Sequence, residues 1–417
     1  MSETSPKKRW SAGVFVYRDY RFLWLALMTG SVVVWMRILG TAQWLLDETG
    51  SAYFVGLIGV VQLVVQLPVT LWAGTLADRV DRKRLMSIAN AATGIALLSL
   101  ALLNAMALLT PTMVYVGIAI TAATHMLASP ATSALMPIII PERQLMLAAS
   151  TETASRNAAA IAGPLLFAYV AVTADLTTVF FIAGTLALVS STLPFFIKAE
   201  GKAEKEANTP KTSQIQQTID GFKYVSKHPI LPGLFLLDAG ITTASFYREI
   251  LPVLALGLFA GGASATGMLG AANSAGAILG SFLAMLLVGY RAKGMMVLYA
   301  SFAYGFILFG FGMANSLLVG LIMIALLGAA DAVTVAVRTT TVMLTTPDRM
   351  RGRAFALLIV AAQTANNVGT IWVGAWAGWI GAGNTMVLGG FISITMTALI
   401  WWWWKPIRLY RSNELDA

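Results

Sequence analysis

Residues 53–84 read YFVGLIGVVQLVVQLPVTLWAGTLADRVDRKR, and this stretch decides the fold class. Its first part, about 53–76, is apolar, and about 20 apolar residues are enough for a helix to cross a bilayer. A compact charged group follows directly, with the basic residues Arg79, Arg82, Lys83 and Arg84. A basic cluster at the end of an apolar run indicates the cytoplasmic end of a membrane-spanning helix.

The composition of the whole chain agrees with this interpretation. Of its 417 residues, 58% are hydrophobic and only 11% are charged. A typical soluble protein has about 25% charged residues, so this chain has too few polar groups to cover a water-soluble surface. The same composition excludes a disordered chain. The sequence therefore predicts a polytopic membrane protein.

Further apolar runs recur along the chain and give twelve predicted spans. Six precede a polar stretch, at about 22–43, 53–76, 85–107, 112–136, 148–171 and 177–197. Six follow it, at about 231–256, 265–289, 294–314, 316–346, 354–379 and 385–404.

The basic residues set the predicted orientation. Four of the 28 lysines and arginines lie inside predicted spans, namely Arg37, Arg156, Arg248 and Arg338. All the others fall in segments on one side of the membrane. By the positive-inside rule that side is cytoplasmic, so we expect a multi-pass protein of the cell inner membrane with both termini in the cytoplasm.

These boundaries divide the chain into five parts. We expect cytoplasmic tails at 1–21 and 405–417, six-helix bundles at 22–197 and 231–404, and a cytoplasmic linker at 198–230. Within the linker, apolar residues recur at helical spacing, which indicates a short amphipathic helix at the interface, at Ile215, Ile219, Phe222 and Val225. A plain tether between the bundles is the alternative.

The two halves also repeat in sequence. Gly56 aligns with Gly267, and the same shift places Arg37 opposite Arg248. A six-span unit used twice is typical of transporters, in which the substrate path lies between the two repeats.

The charged loop carries a family resemblance. Residues 74–84 resemble the signature G-x-L-A-D-R-x-G-R-[K/R] of the major facilitator superfamily, with Asp81 at the position where most members have glycine. This variant resembles the branch of drug:proton antiporters that contains macrolide-efflux and enterobactin exporters. Further similarity lies in 17–24, 245–252 and 346–353, so it runs through both halves.

The resemblance implies an all-α fold of 12 transmembrane helices in two pseudo-symmetric six-helix bundles. It also implies that Asp78 latches the two halves in the outward-open state, with Arg353 as its expected partner. The other members of this latch are Gly74, Arg79, Arg82 and Lys83. A loop that only sets topology is the alternative. Gly163 and Pro164 match the start of the antiporter motif of span five, whose remaining glycines are absent.

Ionisable groups inside the spans are the candidates for proton coupling, because such groups are costly in a membrane and mark a pathway or relay. We single out Asp331, Glu249, Asp238 and His125. In span seven, Asp238, Thr242, Ser245 and Glu249 recur at helical spacing, which predicts that they share one face of a helix. The alternative is that the acids form permanent pairs with the four intramembrane arginines, and that His125 is a hydrogen-bonded helix residue. Glu152 and Arg156 have the spacing of a helical ion pair.

The same spans supply candidates for a substrate cavity. The resemblance implies that spans one, four, seven and ten line it, while spans three, six, nine and twelve face lipid. Two matched arginines, Arg37 and Arg248, favour an anionic or polyphenolic substrate. The remaining candidates are Arg338, Trp35, Thr242, Ser245, Phe246, Gln363 and Asn366.

Several chemistries have no support in the sequence. There is no G-x-x-x-x-G-K-[S/T] loop for ATP, no cysteine and only two histidines. We therefore expect no enzyme, metal or cofactor, no nucleic-acid partner, and a monomer driven by the proton gradient. The predicted function is export of a small amphipathic compound, such as a drug or siderophore, in exchange for protons. Proton-coupled nutrient uptake, lipid flipping and a non-transporting sensor remain alternatives.

Overall fold

The computed structural model describes residues 13–201 and 214–411. The first range contains α1 (Arg18–Thr49), α2 (Ala52–Arg79), α3 (Arg82–Ala105), α4 (Pro111–Ile139), α5 (Glu142–Thr173) and α6 (Leu176–Thr192). The second contains α7 (Gln214–Lys227), α8 (Leu231–Ser245), α9 (Leu251–Phe259), α10 (Ala263–Leu286), α11 (Lys293–Gly312), α12 (Leu317–Thr345), α13 (Asp348–Ile380), α14 (Ala382–Trp403) and α15 (Lys405–Leu409).

Within these ranges, 11 helices are long and apolar enough to cross a membrane. The remaining span, the seventh, is divided between α8 and α9. The predicted fold of twelve spans is therefore confirmed, with one exception to its regularity.

The exception is a break at residues 246–250, and it corrects the prediction of one continuous helix over 231–256. Pro252 lies in the first turn of α9. In a continuous helix Pro252 would lack an N–H for the carbonyl of Arg248 and would clash with it, so the backbone leaves the helical path before this proline. Glu249 lies in the break, and the predicted helical face that joined it to Asp238 is wrong.

The two bundles repeat the same helix pairing. In the first bundle, α1 packs on α5 and α6, α2 packs on α4, and α3 packs on α6. In the second, α8 packs on α13 and α14, α10 packs on α12, and α11 packs on α14. The second set is the first set moved forward by six spans, so the repeat seen in the sequence is a repeat in space.

One end of the molecule, which we call the linker end, holds the start of α1 together with α7 and α15. There the Asp19 carboxylate accepts hydrogen bonds from the backbone N–H groups of Lys198 (3.0 Å) and Ala199 (2.8 Å), which ties α1 to the chain that leaves α6. The opposite end, the far end, carries the turns between α1 and α2 and between α13 and α14.

The bundles meet closely in their far-end halves. Gly56 of α2 lies against Gly374 of α13, where an added Cβ would be 2.9 Å from the Gly374 Cα. At the related seam, Gly267 of α10 lies against Pro164 and Ala168 of α5. We call these two glycine contacts the far-end seal, because only glycine allows backbones to approach this closely.

The contact between α2 and α13 continues to the middle of these helices, where Asn367 Nδ2 donates a hydrogen bond to Gln66 Oε1 at 2.9 Å. Between α10 and α1, the Thr266 hydroxyl donates to Gln43 Oε1 at 3.1 Å. These contacts close the molecule at the far end.

The structure of the loop between α2 and α3 shows why aspartate can replace the glycine of the family signature at position 81. Asp81 is the N-cap of α3, and its Oδ1 accepts hydrogen bonds from the backbone N–H groups of Lys83 (2.9 Å) and Arg84 (3.2 Å). Aspartate and glycine are both favoured at an N-cap, so either residue begins this helix well. The Lys83 ammonium and the Arg82 guanidinium donate to the carbonyls of Ile197 (3.1 Å) and Ala134 (3.3 Å).

Linker helix α7 packs on the linker end of α13. Arg353 pairs with Asp220 of α7 at 3.1 Å, and the Tyr224 hydroxyl donates to the carbonyl of Thr345 at 3.3 Å. In this conformation the expected partner of Asp78 is thus engaged by the linker. The described part of the structure does not include Gly74 beyond its place in α2, or the side chains of Asp78, Arg79 and Ile215. The latch therefore stays a prediction.

Candidate substrate and proton site

A polar cavity of about 270 Å³ lies inside the second bundle and faces the first; we call it the C-half pocket. Helices α8, α11, α12 and α13, the break in span seven and Trp35 of α1 form its walls. Nine of the predicted candidates line it, namely Trp35, Asp238, Thr242, Ser245, Phe246, Arg248, Asp331, Arg338 and Asn366.

Asp238 and Arg338 form an ion pair across this pocket, from α8 to α12. The Thr242 hydroxyl lies one helical turn from Asp238 and donates to the same carboxylate at 3.5 Å. Asp238 therefore pairs with an intramembrane arginine, which was the alternative to a role in proton coupling. This cationic partner lies within its own bundle.

Asp331 has a different environment. It lies two helical turns before Arg338 on α12, lines the pocket and is exposed to it. Its electrostatic partner is Arg248 from the break in span seven. The Arg248 guanidinium lies over the rings of both Trp35 and Phe246, with 5.5 Å to each ring centroid. Arg248 is thus held by two aromatic rings, one from each bundle, beside a carboxylate that the cavity can reach.

Neutral polar residues form the back wall of the pocket. The Tyr304 hydroxyl donates to Ser245 Oγ at 3.1 Å, and Asn273 Nδ2 donates to the Tyr247 hydroxyl. Tyr304 and Ser301 belong to α11, the ninth span, which was predicted to face only lipid. That prediction is wrong for one face of α11. The sequence did not indicate that this span reaches the pocket, because the span has no charged residue and its tyrosine and serine are neutral.

Glu249 lies between the pocket and the far-end seal. It is 5% exposed, and its Oε2 accepts a hydrogen bond from the Thr370 hydroxyl of α13 at 3.4 Å. The charges of Arg248 and of Arg37, which belongs to the other bundle, both act on it. Glu249 is therefore a buried carboxylate placed where the two bundles separate when the far end opens.

A second cavity, of about 150 Å³, lies inside the first bundle; we call it the N-half pocket. Arg37, His125 and Arg156 line it, together with hydroxyl and amide groups of α3, α4 and α6. Spans three and six were also predicted to face lipid, yet Asn90 and Ser190 reach this pocket and hydrogen-bond to each other at 3.1 Å. Arg156 pairs with Glu152 at 2.7 Å, as their spacing predicts.

Besides Glu249, three further candidates of the cavity and the antiporter motif lie outside the two pockets. Gln363 accepts a hydrogen bond from Asn366 at 3.4 Å and is not among the pocket-lining residues of the described chain. Gly163 packs against Trp35, and Pro164 packs against Gly267 and Gly270 of the other bundle. The motif remnant therefore supports Trp35 and one seam of the far-end seal.

Two pseudo-symmetric six-helix bundles with polar cavities at membrane depth are typical of secondary transporters. The sequence model of the protein family called Major Facilitator Superfamily matches residues 23–357, and the chain belongs to this superfamily. Members of the superfamily are transporters and not enzymes. In the described residues, no group of three or more histidine or carboxylate side chains is placed to hold a metal ion.

Comparison with known proteins gives more distant likenesses. The chain is 25% identical over 387 residues to the enterobactin exporter EntS of Citrobacter koseri, covering 91% of this chain and 87% of that protein. A mutant of the nucleoside transporter NupG has the same fold, with a TM-score of 0.72 at 14% identity, over 92% of this chain and 98% of that one. An inward-facing, unoccupied bacterial homolog of the human lysosomal transporter Spinster matches with a TM-score of 0.71 at 13% identity, over 95% and 99% of the two chains.

Proposed function

We propose that this protein exports a small amphipathic compound, siderophore-like or drug-like, across the bacterial inner membrane in exchange for protons. The observation that carries the proposal is Asp331, a carboxylate deep in the membrane that is exposed to the C-half pocket and has Arg248 as its electrostatic partner. The distant likeness to enterobactin exporters supports export of a siderophore-like compound.

Arg248 connects the two proton-carrier candidates. Its charge acts on Asp331 in the pocket and on Glu249 behind it. A deprotonated Asp331 can accept hydrogen bonds from a hydroxyl or amine group of a substrate in the C-half pocket, whereas a protonated Asp331 has lost part of this acceptor capacity. In this scheme proton and substrate compete for Asp331, which is the requirement for exchange of one against the other.

Alternating access requires the far-end seal to open and the linker end to close. Opening separates Gly56 from Gly374 and moves Arg37 away from Glu249, so the protonation of Glu249 is linked to the position of the bundles. Closure at the linker end frees Arg353 from Asp220 and offers it to Asp78, the latch that the family signature predicts. His125, in the N-half pocket, is the fourth candidate, and no hydrogen bond holds its ring among the described residues.

The test is transport in inside-out vesicles with and without an imposed proton gradient, using candidate siderophores and lipophilic drugs. We expect gradient-driven uptake that an uncoupler abolishes and that Asp331→Asn reduces at least tenfold. Asp175→Asn is the matched control, because Asp175 is a carboxylate in the loop before α6 that caps the helix by accepting from Thr178 N–H at 2.7 Å, a role asparagine also performs.

Three outcomes separate the alternatives. If uptake does not depend on the proton gradient and has the same rate in Asp331→Asn as in the wild type, proton antiport is contradicted. The intramembrane acids would then be structural ion-pair partners. Accumulation in right-side-out vesicles would favour nutrient uptake, and redistribution of labelled lipid would favour flipping. Ligand binding without any flux would favour a sensor.

A further inference from the structure

The two pockets differ in the signs of the charges that line them. The C-half pocket contains two carboxylates and two arginines, Asp238, Asp331, Arg248 and Arg338. Arg37, His125 and Arg156 line the N-half pocket, and no carboxylate is among its described lining residues. The first pocket is therefore balanced in charge, and the second is basic.

Arg37 is the central group of the N-half pocket. It is 7% exposed, and no side chain or carbonyl of the described residues forms a hydrogen bond or ion pair with its guanidinium. The nearest charge of opposite sign to act on it is Glu249, which lies outside this pocket. A guanidinium carries five N–H donors and no acceptor. The donors of Arg37 that face the pocket are thus available to an occupant with acceptor atoms.

The surroundings of Arg37 suit an acidic group. Arg156 directs Nε (2.8 Å) and one terminal nitrogen (2.7 Å) to the same oxygen of Glu152, which leaves its other terminal nitrogen for a ligand. The hydroxyls of Thr93 and Thr124, which hydrogen-bond to each other at 2.7 Å, make the pocket wall polar. A volume of about 150 Å³ equals about five water molecules at ~30 Å³ each, which is enough for a carboxylate with part of its shell.

Trp35 and Arg37 belong to the same helix but face different pockets. Two residues along a helix differ by about 200° in direction, so Trp35 faces the C-half pocket and Arg37 faces the N-half pocket. The N-half pocket is therefore a site of its own, separated from the C-half pocket by α1.

We propose that the N-half pocket is an anion subsite that binds an acidic group of the transported compound. The substrate class is thus an organic acid. This inference rests on the proposed transport function, but the binding that it requires needs neither a gradient nor movement of the bundles. It can therefore be tested separately from export.

The experiment measures binding by calorimetry on the purified full-length protein in maltoside micelles, which contain no phosphate. The probes share one ring system and differ in charge: 1-naphthoate (anionic), 1-naphthol (neutral) and 1-naphthylmethylamine (cationic). We expect the wild type to bind naphthoate at least tenfold more tightly than the other two. Arg37→Gln is expected to weaken naphthoate binding about tenfold or more and to leave naphthol binding within twofold.

Two further variants keep the test decisive. Arg156→Gln changes a guanidinium that is half exposed in its pair with Glu152, so the fold tolerates its loss; we expect a smaller weakening of naphthoate binding, about threefold to tenfold. Arg143→Gln removes an exposed arginine outside both pockets and is the matched control, with all three affinities expected to stay within twofold. Retained naphthol binding shows in each variant that the fold is intact.

Equal wild-type affinity for naphthoate and naphthol, or a preference for naphthoate that survives in both Arg37→Gln and Arg156→Gln, would overturn the subsite. A preference that is present in micelles but lost in phosphatidylglycerol nanodiscs would overturn the substrate assignment, because a lipid phosphate would then hold the pocket. Export that fails while the charge preference follows Arg37 would contradict the proposed function and leave the subsite standing.

Discussion

Substitution of Gly59 by alanine is expected to open the far end. Gly59 of α2 faces α13 one turn below Gly56, and an added Cβ would meet the carbonyl oxygen of Asn367. It would also lie 2.9 Å from Thr370 Cβ and 3.0 Å from Ile371 Cγ1. All three contacts belong to the other bundle, so separation of the bundles at the far end relieves the clash without any repacking inside a bundle.

The size of the effect follows from the cost of overpacking, which is about 1–3 kcal/mol for an added methyl group in a close-packed site. Because 1.4 kcal/mol is a factor of about ten, the ratio of far-end-open to far-end-closed molecules should rise roughly 5- to 150-fold. The clash is with a backbone carbonyl, which cannot rotate away, so the upper part of this range is expected.

The chain contains no cysteine, which allows a single reporter thiol to be introduced. Thr266 is suitable because it is 0% exposed and its hydroxyl bonds to Gln43 of the other bundle at 3.1 Å. In the Thr266→Cys background, the rate of labelling by a charged maleimide in micelles measures how often the far end opens. We expect Gly59→Ala to raise this rate by the factor given above.

Gly378→Ala is the matched control on the same seam. Its added Cβ would lie 3.7 Å from the Tyr53 nitrogen and 3.9 Å from Tyr53 Cβ, which is ordinary van der Waals contact. We expect no change in labelling for this variant. Equal labelling rates in Gly59→Ala and Gly378→Ala would refute the view that the glycine contacts hold the far end closed.

Two further predictions concern the linker end. His228 Nδ1 accepts a hydrogen bond from Ile230 N–H at 3.2 Å, and burial lowers the pKa of this histidine despite its hydrogen bond with the Thr345 carbonyl. Because the folded pKa of His228 lies below the unfolded value of about 6.5, its contribution to stability is complete above about pH 6.5 and is lost as the pH falls towards the folded pKa. We therefore expect the melting temperature to fall between pH 7.5 and 5.5, and to fall less in His228→Asn, which keeps a hydrogen-bond acceptor, than in the wild type. An equal fall in both proteins would exclude His228 as a cause. At the N-cap of α3, Asp81→Ala should lower the free energy of unfolding by about 1 kcal/mol and Asp81→Gly by only a few tenths, measured by unfolding in mixed micelles, and equal losses would contradict the capping role.

The architecture was predictable from the sequence because membrane insertion leaves a strong one-dimensional signal. Apolar runs of spanning length and the basic clusters beside them locate all twelve spans. The break in span seven left a weaker signal, since hydropathy reports side-chain composition and not backbone hydrogen bonding. Pro252 was that signal, and its effect on Arg248 and Glu249 became visible only in three dimensions.

The sequence predicted many of the residues that belong to the site, but not which of them contact each other. Charged and polar candidates were found one by one, because each is unusual in an apolar helix. The ion pair of Asp238 with Arg338 joins residues 100 positions apart, and no local pattern specifies it. Tyr304 was missed because it is neutral and its span is otherwise apolar, and the role of Arg37 depends on the lack of an acceptor, which only packing reveals.

The far-end seal has an electrical consequence. A cavity that is open to one side brings the potential of that side deep into the membrane, so most of the transmembrane voltage falls across the thin closed region beyond it. Arg37 and Glu249 lie at the border of that region, and moving one elementary charge across the full membrane potential changes its energy by about 2.3 kcal/mol per 100 mV. Under the proposed transport cycle, occupancy of Glu249 by a proton is therefore sensitive to voltage as well as to pH, and the two glycine contacts of the far-end seal determine where in the protein the electric field is concentrated.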